Sequence, residues 1–345
     1  MPGRVDPAAD LEGDLAYCQA ALRAVSRTFA LPIEGLSEPL RRTVTCAYLL
    51  CRVADTLEDH PALAHIDHDA AYARLRAAIE AGTPAALAAF AEAAGSVGPD
   101  DPELALLGSL PRVVRVVHSG AAPGQRVLSR WIGELSRGMG IYVARPRRPD
   151  GLRQLEDLAD LERYCYFVAG TVGRMLTALF AEALPGLAPE RRAALDAHAE
   201  ELALGLQLVN VIKDVGEDLA RGHCYVPRSI LAAQGLDARD LASAAQRPAA
   251  HRALEPLFAR ARAALDRALA YALAIPAEAV DLRTFCLLPM WLAARTLERA
   301  AGDDAIFETG VKIDRAEVAR LVADCVAAAP NDAAIRAAWR ALARP

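Results

Sequence analysis

Tyr48-Leu49-Leu50-Cys51-Arg52-Val53-Ala54-Asp55-Thr56-Leu57-Glu58-Asp59 sets two aspartates and a glutamate into a run of apolar residues. On a helix, Asp55 and Asp59 share a face at i and i+4, and Tyr48 and Arg52 extend that face backwards as one stripe. The same D-x-x-E-D spelling returns at Asp214-Val215-Gly216-Glu217-Asp218, where Gln207, Asn210, Asp214 and Asp218 form the equivalent stripe. Like charges so placed repel by on the order of 0.3 kcal/mol per pair on a solvated helix. Beside apolar neighbours the cost rises, and a cation is needed to offset it. Magnesium suits the task, because it bridges carboxylate and phosphate oxygens and lets a chain without a phosphate-binding loop hold a diphosphate. Asp55, Glu58, Asp59, Asp214, Glu217 and Asp218 are therefore the candidate metal ligands. One such cluster alone reads equally well as a salt-bridged surface face; its repetition favours the site. An EF-hand is excluded, since the loop glycine and twelfth-position glutamate are missing.

Composition points to a helical fold. Of 345 residues, 54% are hydrophobic but only 5% aromatic, the excess being Ala and Leu mixed with Glu, Arg and Asp. Helical periodicity runs over 11–30, 40–57, 69–81, 84–94, 102–118, 125–142, 157–183, 189–218, 228–234, 249–274, 283–301 and 314–328. Leu31-Pro32 is the expected break after the first of these, and no long segment alternates with period two. With no shift of composition along the chain, 1–345 reads as one all-α domain, a bundle of roughly ten or more helices.

A net charge of −5 with scattered Lys and Arg argues against nucleic acid as a partner. The seven cysteines include no C-x-x-C pair and sit mostly in apolar runs, as reduced core thiols do. Residues 1–15 carry acids and prolines where a signal peptide needs a basic and an apolar region, and no run of about 18 apolar residues would cross a bilayer. The expectation is a cytoplasmic protein with at most peripheral membrane contact.

Further segments carry chemistry. In Tyr164-Cys165-Tyr166-Phe167-Val168-Ala169-Gly170-Thr171-Val172-Gly173, the small residues leave one helix face nearly bare. That face serves either close helix packing or a cavity wall, the latter with Tyr164 near a leaving diphosphate. Arg221-Gly222-His223-Cys224-Tyr225-Val226-Pro227 follows the second acidic cluster with basic groups able to reach a phosphate. Ser26-Arg27-Thr28-Phe29 offers a hydroxyl and a guanidinium, or simply a cap. Phe285-Cys286-Leu287-Leu288-Pro289 begins an apolar helix, and Val311-Lys312-Ile313-Asp314-Arg315 sets two cations after a glycine-containing loop or, more plainly, on a solvated surface.

Taken in order, S-R-T-F (26–29), Y-L-L-C-R-V-A-D-T-L-E-D (48–59), Y-C-Y-F-V-A-G-T-V-G (164–173), L-Q-L-V-N-V-I-K-D-V-G-E-D (206–218) with R-G-H-C-Y-V-P, and F-C-L-L-P (285–289) with V-K-I (311–313) resemble the squalene/phytoene synthase family over most of the chain. The resemblance implies an all-α isoprenoid-synthase bundle around a central cavity, with the two acidic helices facing each other across it. It implies prenyl diphosphate substrates, Mg2+, and, by the squalene-synthase wording of D-T-L-E-D, Y-C-x-x-V-A-G and V-K-I, reduction by NADPH held near Lys312 and Arg315. The D-V-G-E-D and R-G-x-x-Y-x-P wording is closer to phytoene synthases. Carried over by position, Tyr164, Tyr48, Arg52 and Phe285 take catalytic places. Ser26, Arg27, Phe29, Val168, Gly170, Gln207, Asn210 and Arg221 take substrate-binding ones. Departures are Asp314 in place of a base, Lys213 and His223 where arginine is commoner, and Tyr166 for a histidine. The alternatives are a phytoene- or dehydrosqualene-type synthase without reductant, a hydroxysqualene-forming relative, and a catalytically silent metal- or lipid-binding helical module.

Overall fold

Helix starts follow their caps. Asp67 accepts from Ala70 N, Thr83 from Ala86 N ahead of Pro84, and Asp101 from the amides of Glu103 and Leu104 ahead of Pro102. The computed structural model describes residues 7–26, 28–95, 98 and 100–342. Their secondary structure is helical apart from two short strands. The chain divides into two compact units, Met1–Ala144 with Met175–Pro185, and Arg145–Arg174 with Gly186–Pro345.

The first unit contains α1 (Pro7–Val25), α2 (Ala30–Glu34), α3 (Leu40–Asp59), α4 (His68–Ala81), α5 (Pro84–Ala94), α6 (Pro102–Gly108), α7 (Leu110–His118) and α8 (Gln125–Val143). Helix α3 packs against α1, α4, α6, α7 and α8. Leu49, Leu50, Val53, Ala54 and Leu57 are fully enclosed, so the face of α3 is fixed by hydrocarbon.

In the second unit, α9 (Leu158–Cys165) continues through a π turn (Tyr166–Gly170) into α10 (Thr171–Ala183), whose residues from Met175 count with the first unit. There follow α11 (Pro189–Lys213), α12 (Val215–Ala220), α13 (Arg228–Ala232), α14 (Arg247–Ala274), α15 (Val280–Ala300), α16 (Arg315–Ala328) and α17 (Asp332–Leu342). β1 (Arg153–Gln154) pairs in parallel with β2 (His223–Cys224), placing Arg153 opposite His223. Helices α11 and α14 run antiparallel at close range: Arg191 near the start of one reaches the Leu273 and Ala274 carbonyls, while a Cβ on Gly205 would meet Leu265 Cδ2 at 2.8 Å. Fully enclosed Arg283 ties three helix ends together, donating to the Ile275 and Ala329 carbonyls at 2.9 and 3.1 Å and pairing with Asp332 at 2.7 Å.

Five sequence expectations need correction, one being the helix expected over 102–118, which breaks at Ser109 into α6 and α7. The first helix ends at Val25, and Pro32 sits inside the short α2 instead of breaking a longer helix. The expected helix over 189–218 is interrupted at Asp214, whose backbone (φ −110, ψ 16) separates α11 from α12. Helix α17 lies beyond the last expected one; Asn331 caps it, and Trp339 Nε1 donates to Asp266 at 2.9 Å. Finally, one helix, Leu158–Ala183, is long and apolar enough to cross a membrane by length and composition. It carries Asp160, Glu162, Arg163 and Arg174, and Leu161, Tyr164, Cys165, Met175 and Phe180 are buried in packing, as in a core helix of a globular protein.

Replacing Arg283 by Met leaves the two buried carbonyls without a donor. Urea unfolding is expected to show a loss of about 3 kcal/mol with an unchanged slope. Asp332→Asn, at a half-exposed partner, costs about 0.5 kcal/mol or less. Equal losses from both would contradict the clamp.

Candidate active site

In the first unit, the apolar side of α3 leaves Tyr48, Arg52, Asp55 and Asp59 on the other face. Arg52 donates to the Tyr48 hydroxyl at 3.1 Å and lies 3.8 Å from Asp55 and 3.7 Å from Glu103. Its Nε is buried without a hydrogen-bond partner. Burial opposes the Arg52 charge, but Asp55, Tyr48 and Glu103 outweigh it and hold the proton more tightly than usual. Asp55 shows the reverse balance. Desolvation raises its carboxyl to about 6; Arg52 pulls it down, and Asp59 and Glu103 push it up. Its side chain is nonetheless 41% exposed, so the group is recessed among protein atoms while still open to water.

The rest of the first-unit set sits close by. The Phe29 and Tyr48 rings are 6.0 Å apart, and the Tyr48 hydroxyl reaches the Val25 carbonyl at 3.4 Å. Ser26 Oγ accepts from the amides of Phe29 and Ala30 at 3.1 and 3.0 Å, so its lone pairs serve the turn before α2. Arg27 lies outside the described residues. Glu103 was missed by sequence reasoning; it belongs to α6, and nothing in its local pattern ties it to α3.

In the second unit, Gln207 is half-buried and Asn210 exposed on α11, while Asp214, Glu217 and Asp218 are half-buried around the α11–α12 joint. Lys213 pairs directly with Asp214, and Arg221 lies 3.8 Å from Glu217. The joint is fixed from outside the motif. A Cβ on Gly216 would sit 2.3 Å from the Phe307 carbonyl carbon. Gly310, at φ +73, comes so close that a Cβ there would meet Asp214 Oδ1 at 3.2 Å and Glu217 Oε1 at 3.3 Å.

Tyr164 is buried on α9, whose start is held by a two-pronged Arg145–Asp160 pair at 2.7 Å. Its ring stacks on Tyr225 at 4.8 Å and 22°. The π turn that follows contains Val168 and Gly170, and a Cβ on Gly170 would meet its neighbour Tyr166 at 3.0 Å. Gly173 is a helix contact and not a cavity wall: a Cβ there would lie 2.2 Å from the Ala199 carbonyl oxygen of α11. Phe285 is buried on α15. Lys312 and Arg315 are exposed, beside Arg299, which bonds Asp314 at 3.2 Å and also Glu317. Asp314 caps α16 through Glu317 N at 2.8 Å.

Among the described residues, no three His, Cys, Asp or Glu side chains converge as a protein-only metal cage. Magnesium does not require one, because it keeps several waters and takes one or two carboxylates plus substrate phosphate. Asp55 and Asp59 fit that donor set, Asp55 having a charge that Arg52 leaves under-compensated. Asp214 and Asp218 fit it with Lys213 as a competing partner.

A sequence model of the squalene/phytoene synthase family matches residues 22–321, and the chain belongs to that family. The squalene synthase of Schizosaccharomyces pombe is 28% identical over 315 residues, which cover 90% of this chain and 64% of that protein. Chloroplastic phytoene synthase 1 of Solanum lycopersicum is 29% identical over 227 residues, 65% of this chain and 46% of that protein. The chain thus spans less than two thirds of the length of either relative. A structure of TcSQS with the ligand BPH1237 superposes with a TM-score of 0.76 at 26% identity, covering 91% of this chain and 86% of that one.

The Asp55 environment has a consequence for stability. A carboxyl raised from 3.8 to about 6 favours folding below pH 4, and that contribution is lost as pH rises through about 6. In EDTA, Asp55→Asn is therefore more stable than wild type at pH 7.5, by about 1 kcal/mol after allowance for water screening. Denaturant unfolding from pH 4 to 7.5 reads the difference; a variant less stable throughout would contradict it.

Proposed function

We propose that this chain condenses two farnesyl diphosphates head to head through presqualene diphosphate and reduces the product to squalene with NADPH. The observation that carries the reading is the recessed, under-compensated Asp55 beside the Arg52–Tyr48 pair, matched by a second acidic cluster at Asp214 and Asp218. The longer alignment is with a squalene synthase, 90% of the chain against 65% for the phytoene synthase, which supports the reductive product. The reading draws residues from both units.

Asp55, Glu58 and Asp59 would bind one diphosphate, and Asp214, Glu217 and Asp218 the other, each through magnesium. When bound, magnesium offsets the charge on phosphate oxygens as a diphosphate leaves. Arg52 adds a fixed positive charge beside that site, oriented by the Tyr48 hydroxyl, where it stabilises the departing group. Ser26, Arg27, Gln207, Asn210 and Arg221 would hold the diphosphate ends. Tyr164, aided by Tyr48, would carry the proton lost as the cyclopropane closes to diphosphate oxygen. Phe29, Val168, Gly170 and Phe285 would line the prenyl chains and keep water from the cation, since water capture gives an alcohol. NADPH supplies hydride when bound, and Lys312 and Arg315 are the cations that would meet its phosphate.

A reductant-free, phytoene- or dehydrosqualene-type reaction is the second reading. It is favoured by the engagement of Arg299 with Asp314 and Glu317, which leaves only Lys312 and Arg315 as exposed cations of that loop.

Mass analysis of the product from farnesyl diphosphate and Mg2+, with and without NADPH, separates the readings. Squalene is expected only with NADPH; the same dehydrogenated hydrocarbon in both tubes selects the second reading, and an alcohol in both contradicts the first. Asp55→Ala and Asp214→Ala each lower turnover about 100-fold or more, and Tyr164→Phe about 100-fold. Full activity in both aspartate variants would contradict the metal-ligand roles given to the two clusters, and a wild-type chain that turns over no prenyl diphosphate would leave only a silent binding module.

A further inference from the structure

Tyr164 is not alone where it packs on α9. Its ring stacks on Tyr225, and the Tyr225 hydroxyl lies 3.0 Å from His223 Nδ1, with the two rings edge to face at 5.8 Å. The proposed reaction uses neither Tyr225 nor His223. Resting on the reading of Tyr164 given above, we propose that Tyr225, anchored by His223, is the positioning residue that fixes the Tyr164 ring for proton transfer.

The backbone explains why this trio forms. The β1–β2 pairing sets Arg153 opposite His223, and Arg153 N bonds the Gly222 carbonyl at 2.9 Å. Gly222 adopts φ +82, and a Cβ there would meet Arg147 Nη1 at 3.2 Å, so the loop closes only with glycine. Arg147 also donates to the Gly151 carbonyl at 3.0 Å, which holds the turn before β1 against the loop. The chain then leaves β2 through Cys224, fully packed, and presents Tyr225 to α9.

The electrostatics keep the histidine uncharged. Burial, then Arg153, Arg147 and Arg221, push the His223 ring down to about 4. At neutral pH the ring therefore has one bare nitrogen. Nδ1 hydrogen-bonds the Tyr225 hydroxyl at 3.0 Å, as acceptor when the ring hydrogen is on Nε2 and as donor when it is on Nδ1, because a phenol plays either part. A phenol anchored at its hydroxyl and stacked on its face has little freedom left. That rigidity passes to Tyr164, whose hydroxyl must stay within hydrogen-bond reach of a reacting group.

A double-mutant cycle with farnesyl diphosphate tests the assignment. Tyr225→Leu removes both anchor and stack and is expected to lower kcat about 10- to 100-fold, while KM changes less than about 3-fold. Tyr225→Phe keeps the stack but loses the His223 anchor and recovers only part of the rate, and Tyr164→Phe/Tyr225→Leu is no slower than Tyr164→Phe alone. Additive losses in the double variant, or a Tyr225→Leu enzyme at the wild-type rate, overturn the proposal. If the wild-type chain releases no diphosphate, the proposed function fails by itself, and 13C NMR of tyrosine rings decides the positioning role. The Tyr164 resonance, assigned with Tyr164→Phe, is expected to shift in Tyr225→Leu and to shift less in Tyr225→Phe. A resonance unmoved by Tyr225→Leu overturns it.

Discussion

Carboxylates fixed on helices whose other faces are sealed in hydrocarbon are the constraint around which the candidate site is organised. Helix α3 cannot rotate to hydrate Asp55 better without exposing Leu49, Leu50, Val53 and Leu57, which are fully enclosed. The charge is therefore held where desolvation penalises it, and Arg52 only partly compensates. On the proposed reading, a cation arriving with a diphosphate would relieve a cost that folding has already imposed. Part of the apolar burial energy would in this way become preorganisation for an anion carrying its own counter-ions.

The second acidic cluster reaches the same end by different means. Here the helix is interrupted, and the carboxylates surround a joint clamped by the backbone of 307–310 against Gly216 and by Gly310 against Asp214. That clamp is itself secured, because the Arg247 guanidinium lies 4.7 Å over the Phe307 ring and His251 bonds Asp304 at 2.8 Å. The geometry of Asp214 thus depends on residues nearly a hundred positions later in the chain, and the glycines in D-V-G-E-D and before V-K-I have one shared reason.

Such dependence separates what could be read from the chain from what could not. Helix starts at Pro84, Pro102 and Pro189 were legible because caps and proline act within a turn of sequence. The α3 stripe was legible because Tyr48, Arg52, Asp55 and Asp59 follow one helical period. The interruption at Asp214 was hidden, since periodicity continues across it and its cause is tertiary. For Gly173 the sequence leaves both helix packing and a cavity wall open, and the choice of packing is made by the Ala199 carbonyl of another helix. Glu103, Arg153 and the stacking partner of Tyr164 lie on other elements, and only β pairing and helix packing bring them to α3, His223 and α9. Tyr225 stood within the quoted basic loop, yet local sequence carries no sign of which aromatic it meets.

The central claim is that each acidic cluster holds one metal-bridged diphosphate. Calorimetric titration of the whole chain with farnesyl thiodiphosphate, which resists ionisation, in the presence of Mg2+ tests it most directly. Two equivalents per chain are expected in wild type, one in Asp55→Asn, one in Asp214→Asn, and none in EDTA. Two equivalents in both variants, or binding indifferent to EDTA, would contradict the account.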